Sequence, residues 1–322
     1  MKKKSSLLLG FIVVLSAFFV SCGKNDPTEF ESPNDPTEFE SPYCQISVQS
    51  DGNGTVSITN NIGTSINVLR GNTVEVVAVP NDGYEFVGWF VGDSETAESV
   101  AATYAFTANS NTVALVAKFR FPFAATGSVG GHEYVDLGLP SGLKWATCNV
   151  GATEIYGKGE HYAWGETEVK SDYTTWEYYR LCNGTDEYMT KYNGHDGNKI
   201  LGLSDDAAYC KWGDSWRMPT QAEMQELCDN CTFESVKVEG VLGLKVKGPN
   251  GNCIFLPAAS YKGSTGNVLL GWFCYWSSSV STDGYIDACC LSFNIYGTGK
   301  IYNPEIQTKL RRLGYSIRPV VR

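Results

Sequence analysis

The sequence predicts a β-rich protein with two folded domains, a small one made of strands and a larger α+β one. Short runs of alternating apolar and polar residues recur along the chain, and this pattern is typical of half-buried strands. Glycine, asparagine, aspartate and serine separate the runs, as turns require. Only two stretches carry the signals of a helix, and both lie in the second half.

The N-terminus has the layout of a signal peptide, because three lysines at residues 2–4 precede an apolar run over residues 7–20. This run is shorter than the roughly 20 apolar residues of a spanning helix. Residues 19–22, FVSC, resemble the lipobox of bacterial lipoproteins. The resemblance implies that residues 1–21 are a leader and that Cys22 is acylated and anchors the chain in a lipid bilayer. An ordinary secreted protein is the alternative.

An acidic linker is predicted over residues 22–43. Residues 25–33 read NDPTEFESP, and residues 34–42 repeat these letters without change. Each copy has three acids, two prolines and few apolar residues, which favours an extended, self-repelling spacer. The whole chain has a formal charge of −10, which becomes −13 without the three lysines of the leader. Nucleic acid is therefore not predicted as a partner, since its phosphates require clustered lysine and arginine.

The first folded domain is assigned to residues 44–121. Its predicted strands, taken from the alternating runs, are residues 46–48, 55–58, 73–79, 84–89 and 113–119. Turn signals at residues 51–54 and 80–83 separate them. Tyr84 and Trp89 are predicted to be core residues and not a ligand platform, because aromatic side chains supply much of the burial in small domains.

Several motifs of this domain follow one another in a distinctive order. They are G-x-G-T-V at residues 52–56, Gly71 before an alternating strand, A-x-P-x-x-G-Y-x-F-x-G-W at residues 78–89, and A-x-F at residues 117–119. This order resembles the divergent internalin-B-type repeat of bacterial surface proteins. The resemblance implies a small β-grasp-like spacer or adhesion module without enzymatic activity, so we expect a stalk.

The second domain is assigned to residues 128–322. Ser204 and the acids after it suit the start of a first helix that runs to residue 212. Thr220 and Glu223 have the spacing of a capping box, and an apolar stripe follows from Met224, which predicts a second helix. Short strands are predicted at residues 243–246, 253–256, 271–277, 288–293 and 315–318.

Five sequence blocks of the second domain identify a further resemblance. They are YVDLGLPSGLKW at residues 134–145, WRMPT at 216–220, FLPAA at 255–259, YWSSS at 275–279 and SIRPV at 316–320. Together they resemble the Fibrobacter succinogenes major paralogous domain over nearly all of residues 130–321. The resemblance implies a C-type-lectin-like fold, of the branch that includes formylglycine-generating enzymes and proteins diversified by retroelements. It does not supply an activity.

The first functional hypothesis for this domain is a binding module. Binding residues concentrate on loops that a rigid scaffold holds. By resemblance to the retroelement-variable proteins, the binding face is expected in the irregular segment 283–303. Tyrosine and asparagine suit adaptable recognition, because tyrosine offers rigid contact area and asparagine offers flexible hydrogen bonding. The candidate ligand-binding residues are Tyr285, Asp287, Asn294, Tyr296, Tyr302 and Asn303.

The second hypothesis is an enzyme, because the ending Gly314-x-x-x-Arg318 resembles that of the formylglycine-generating family. No further match to that active site is present, so no catalytic residue and no cofactor are predicted. The histidines at 132, 161 and 195 lack the spacing of a triad or a metal site and are expected on the surface or in loops. The triplets of calcium-dependent lectins are absent, so calcium is not predicted either.

The third hypothesis is an accessory or tip subunit of a fimbria.

Ten cysteines remain besides Cys22, and in an exported chain this even number permits disulfides without fixing their pairing. Cys228-x-x-Cys231 is expected to hold buried thiols or a disulfide, since no second pair at zinc spacing accompanies it. Taken together, the sequence predicts a surface-exposed outer-membrane lipoprotein whose lectin-like head binds a host or bacterial surface protein or glycan.

Overall fold

The computed structural model describes residues 41–213, 215–263, 272–295 and 301–322, without the side chains of residues 272, 295 and 301–303. The predicted leader, Cys22 and most of the acidic linker lie outside these ranges. Residues from Ser41 to Arg322 form one compact unit. Its elements are mostly strands, which confirms the predicted β-rich class. None of the described helices is long and apolar enough to cross a membrane.

The repeat domain, residues 44–121, contains the first seven strands. They are β1 (Tyr43–Ser50), β2 (Gly54–Ile58), β3 (Ser65–Leu69), β4 (Thr73–Pro80), β5 (Glu85–Val91), β6 (Thr103–Thr107) and β7 (Thr112–Arg120). One sheet has the order β3-β1-β7-β5, in which β1 and β7 are parallel and the other pairs antiparallel. The second sheet has the antiparallel order β2-β4-β6.

The core of the repeat domain lies between these sheets. Trp89 is fully buried and Tyr84 packs partly buried against the same cluster, which confirms both as core residues. The sequence did not predict β3 and β6. Both are five-residue edge strands, and their apolar side chains are half-buried or exposed.

The head, residues 128–322, contains ten strands and both α-helices. Its elements are β8 (Gly127–Val129), β9 (His132–Asp136), β10 (Lys144–Ala146), α1 (Ala207–Trp212), α2 (Gln221–Asn230), β11 (Thr232–Val238), β12 (Val241–Lys247), β13 (Cys253–Pro257), β14 (Trp272–Val280), β15 (Asp287–Ile295), β16 (Ile301–Leu310) and β17 (Val320–Val321). Two single turns of 3-10 helix also occur, at Trp176–Tyr178 and Leu203–Asp205. The strands form antiparallel sheets with the orders β17-β10-β9-β8, β11-β12-β13 and β14-β15-β16.

The two helices test the predicted caps. At α2 the capping box is confirmed: Thr220 Oγ1 accepts from the Glu223 backbone N–H, and Glu223 accepts from that of Thr220. At α1 the predicted cap was wrong, because Asp206 and not Ser204 begins the helix and accepts from the Tyr209 backbone N–H. The other carboxylate oxygen of Asp206 accepts from the backbone N–H of Met218 at 2.8 Å. Asp206 therefore fixes the helix start to the next segment as well.

Two further expectations about strands were wrong. The segment 283–303 is not irregular throughout: β15 contains the strand predicted at residues 288–293 and extends beyond it at both ends, and β16 begins at Ile301. Residues 315–318 form no continuous strand. Instead, Tyr315 bridges Tyr162 and Ser316 bridges Tyr275. This segment is buried on all sides, so its backbone groups bond to several neighbouring segments in place of a single strand.

The repeat domain packs directly on the head. Aromatic rings of Tyr84, Phe121, Phe123 and Phe255 follow one another with centroid spacings of 5.5, 5.5 and 5.7 Å. Beside this aromatic ladder, the Lys245 ammonium of the head pairs with Glu85 of the repeat domain. Burial would raise the pKa of Glu85, but hydrogen bonds from Lys245 and Arg120 outweigh it, so the pKa lies below its ordinary value.

Replacing Phe123 by alanine tests this contact. Phe123 is 3% exposed and touches the rings on both sides. Deletion of a buried phenylalanine ring costs about 3–5 kcal/mol, so we expect a loss of that order in the free energy of unfolding, measured by urea denaturation. Val100→Ala is the control, because Val100 is 79% exposed and should change stability by less than about 0.5 kcal/mol. Equal stability of the two variants would contradict a packed interface.

Candidate functional site

An open cleft of about 490 Å³ lies on the head between the loop at residues 183–198 and the segment before β15. Its volume is within the range of small-ligand sites. Its lining residues come from these two segments: Asp186, Glu187, Tyr188, Met189, Asn193, Gly194, His195, Tyr285 and Ile286. The cleft combines aromatic, amide and acidic side chains, and it contains one of the predicted ligand-binding residues, Tyr285.

A short hairpin-like turn forms the first wall. Cys182 and Met189 are bridged in antiparallel fashion, and the Asn183 N–H donates to the Tyr188 carbonyl at 3.2 Å. Between these points the chain reverses and leaves residues 184–188 exposed. Tyr188 is 64% exposed, which is unusual for a side chain of this size. The turn therefore presents an aromatic ring and carboxylates at the rim of the cleft.

The rest of this wall is ordered by Asn193 and Asp196. The Asp196 carboxylate accepts from the backbone N–H groups of Tyr192, Asn193 and Asn198 at 2.6, 3.2 and 3.0 Å. Burial would raise the pKa of Asp196, but these hydrogen bonds outweigh it and lower the pKa below its ordinary value. The Asn193 amide donates to the Met189 carbonyl at 2.8 Å. These local bonds fix a loop that lacks regular secondary structure.

Arg311 connects the two walls from below. Its guanidinium is fully buried and donates to the carbonyls of Lys191, Tyr192 and Tyr285 at 3.1, 3.3 and 2.9 Å. It also donates to the hydroxyl of Tyr179 at 2.9 Å. The first two carbonyls belong to the loop and the third belongs to the opposite wall. One buried charge thus sets the spacing across the cleft.

Close packing also fixes the ring of Tyr285. A Cβ atom added at Gly194 would lie only 3.1 Å from this ring, so glycine at this position allows the loop to approach the aromatic face. Tyr285 packs against the main head core on its other side. The ring therefore forms part of the floor of the cleft and is not a free surface side chain.

The structure does not gather all the predicted ligand-binding residues around Tyr285. Asp287 lies nearby, at the start of β15, but it does not line the cleft, and burial raises its pKa while Lys309 opposes that shift. Asn294 lies seven residues after Asp287 in the same strand, which places it about 23 Å from Asp287 at the usual rise per residue. It pairs with Tyr302 in β16. The side chains of Tyr302 and Asn303, and the whole of Tyr296, lie outside the described residues.

Sequence reasoning missed the loop that forms most of the cleft. Residues 183–198 read NGTDEYMTKYNGHDGN, which is rich in turn-forming residues and has no strand or helix period. Loops longer than about 12 residues without regular structure are usually functional or disordered. The length of this segment was the available signal.

The three histidines of the chain lie in different surroundings. His161 was expected on the surface or in a loop. It lies in a loop but is buried, where its ring nitrogen bonds the Ser260 carbonyl and burial lowers its pKa. His132 stacks on Trp212, and His195 lines the cleft. Among the described side chains, no group of three or more histidine, cysteine, aspartate or glutamate residues is arranged to hold a metal ion.

The ten described cysteines are all free thiols. Burial raises the pKa of Cys228 to about 11 and that of Cys231 to about 12. Since the thiolate is the reactive form of cysteine, this pair is unreactive near neutral pH. Cys228 and Cys231 are half-buried thiols that pack against a head core, whereas the sequence favoured full burial or a disulfide.

Arg318, the last residue of the ending that resembles the formylglycine-generating family, is a buried structural group. Its guanidinium donates to Asn149 Oδ1 at 2.8 Å and to three backbone carbonyls. Those carbonyls belong to Ala146, Thr147 and Phe255, at 3.0, 3.0 and 2.9 Å. Burial lowers the pKa of Arg318. It joins β10 and the loop after it to β13, away from the cleft.

Comparison with known families identifies the repeat domain alone. Residues 44–121 match the family described as Divergent InlB B-repeat domain, and these bounds are the ones predicted from the sequence. Neither the curated proteins nor the solved structures gave a match.

Replacing Arg311 by methionine tests how the cleft is held. The change would remove the donor from the buried oxygen atoms that now accept hydrogen bonds from Arg311. Each buried oxygen left without a donor costs about 1–3 kcal/mol of stability. We expect unfolding to become easier by at least about 3 kcal/mol and hydrogen exchange to accelerate in peptides covering residues 185–198 and 281–287.

Arg180→Met is the matched control. The Arg180 side chain is 56% exposed, and the buried carboxylate of Asp205 with which it pairs keeps its hydrogen bonds from Lys191 and Tyr192, so the loss of Arg180 should cost no more than about 1 kcal/mol. Unchanged exchange in both cleft segments of Arg311→Met would show that Arg311 does not hold the walls.

Proposed function

We propose that this protein is an acylated outer-membrane lipoprotein whose head binds a host or bacterial surface protein or glycan in the cleft beside Tyr285. One observation carries the binding proposal: a buried arginine ties the two walls of the cleft together, and the aromatic floor is fixed before any ligand arrives. In a preformed site, less of the binding free energy is lost to the ordering of the site's own loops.

The lining also suits recognition. Tyr188, Tyr285 and Asn193 offer aromatic area and amide hydrogen bonding, which is the combination that adaptable binding surfaces use. The cleft belongs to a loop that is supported by the head core, as binding loops generally are.

The lectin-like fold of the head remains part of the proposal. The blocks that resemble the major paralogous domain supply buried residues, among them Trp145, Trp216, Trp276 and Arg318. Burial of these residues supports a role for the blocks in the fold and gives no information about the ligand. In contrast, the cleft loop at residues 183–198 lies outside all of these blocks.

Tyr285→Ala tests the binding site. The chain from residue 23 onward, without the predicted leader and Cys22, would be screened on arrays of glycans and of extracellular proteins, with and without calcium. We expect saturable, calcium-independent binding that falls at least about tenfold in Tyr285→Ala, the equivalent of 1.4 kcal/mol.

Tyr178→Ala is the matched control, because Tyr178 is 53% exposed and lies outside the cleft. It should bind like the unchanged protein. If the folded protein bound nothing on either array, the accessory-subunit hypothesis would replace the binding proposal.

Cys22→Ser tests the anchor. We expect the unchanged chain, expressed in a bacterial host, to incorporate an alkyne-labelled fatty acid and to fractionate with the outer membrane. The serine variant should incorporate no label and leave the membrane fraction, because the thioether requires the cysteine sulfur. Cys44→Ser, at the first buried cysteine of the repeat domain, should retain the label. Labelling of the Cys22 variant would contradict the lipoprotein proposal.

A further inference from the structure

The charges around the cleft point to the class of ligand that it takes. Asp186 and Glu187 line its rim, and both side chains are exposed. In the described part of the chain, neither carboxylate has a hydrogen-bond or ion-pair partner. Two negative charges therefore face the opening without compensation.

The basic side chains attached to the same walls are already engaged. The Lys191 ammonium lies 2.8 Å from Asp205 Oδ2. Arg311 is buried beneath the walls and its donors are directed at the carbonyls that hold them. An anionic ligand would thus meet two carboxylates, with the exposed imidazole of His195 as the remaining lining group that can carry a positive charge, and like charges brought together without compensation are unfavourable.

Aromatic and apolar groups lie beside the carboxylates. The ring of Tyr285 forms the floor, and Tyr188 lies exposed at the rim. A cation placed over an aromatic face is stabilised by about 0.5–1 kcal/mol at an exposed site and by more when it is desolvated. Met189 and Ile286 complete an apolar surface of the kind that covers the methylene stem of a long basic side chain.

We propose that the cleft binds a cationic side chain, lysine or arginine, of a polypeptide partner. The inference rests on the proposed function and specifies its ligand. The stem lies on Tyr285 and Met189, and the ammonium or guanidinium group meets the carboxylates of Asp186 and Glu187. The net charge of the whole chain, −10, favours the approach of a cationic partner as well.

The test uses the chain from residue 23 onward and capped five-residue peptides with one central lysine or arginine among alanines. Binding would be followed by saturation-transfer NMR, with the Nε-acetyl-lysine and citrulline peptides as uncharged counterparts. We expect the charged peptides to bind at least about fivefold more tightly than these counterparts, and 0.5 M salt to weaken that binding, since exposed charge pairs are screened.

Two isosteric variants locate the charges. Asp186→Asn with Glu187→Gln should remove the preference for the charged peptides. Asp93→Asn with Glu95→Gln makes the same change in net charge at exposed positions of the repeat domain and should leave the preference intact. Tyr285→Phe should bind like the unchanged protein, because the ring and not the hydroxyl contacts the basic side chain, whereas Tyr285→Ala should bind at least fivefold more weakly.

Several outcomes would overturn the inference. They are absence of charged-peptide binding, equal binding of the uncharged peptides, or equal losses in the two double variants. A neutral glycan from the array could lose its binding in Tyr285→Ala and keep it in Asp186→Asn with Glu187→Gln. That result would overturn the cationic ligand and support the cleft as the binding site. If no array ligand required Tyr285, the cleft itself would fail as the site.

Discussion

Two buried guanidinium groups hold the head together by bonding to backbone oxygens of distant segments. Arg311 and Arg318 are 0% and 1% exposed, and no described carboxylate pairs with either. Burying a charge is costly unless hydrogen bonds replace its hydration. Each guanidinium donates four hydrogen bonds, which offset this cost. The guanidinium carbon of Arg311 also lies 4.6 Å from the centroid of the Trp164 ring. The conformations of several loops depend on these two side chains.

The same arrangement explains what the sequence could and could not predict. Five of the seven strands of the repeat domain and the capping box of α2 depend on local periods and spacings, so the pattern alone identified them. Arg311 depends on contacts more than a hundred residues away in sequence, and charged side chains are expected at the surface. Nothing local therefore indicated that Arg311 lies under a cleft.

The sequence likewise predicted only part of the candidate site. Tyr285 was predicted from its residue type and from the resemblance to variable lectin folds, and it does line the cleft. The strand predicted at residues 288–293 lies within β15, which carries Asn294 far from Tyr285. β16 escaped prediction because Pro304 interrupts its pattern. Proline is tolerated there because β16 is an edge strand of its sheet.

The parallel pairing of β1 with β7 has a mechanical consequence. The chain enters the repeat domain at β1 and leaves it towards the head at the end of β7, so two parallel strands place entry and exit at opposite ends of the pair. Tension applied to the chain on the two sides of the repeat domain would pull these strands lengthwise past each other. The backbone hydrogen bonds along Gln45–Ser50 would then be loaded in shear, all together and not one after another. Such a geometry favours resistance to stretching along the chain.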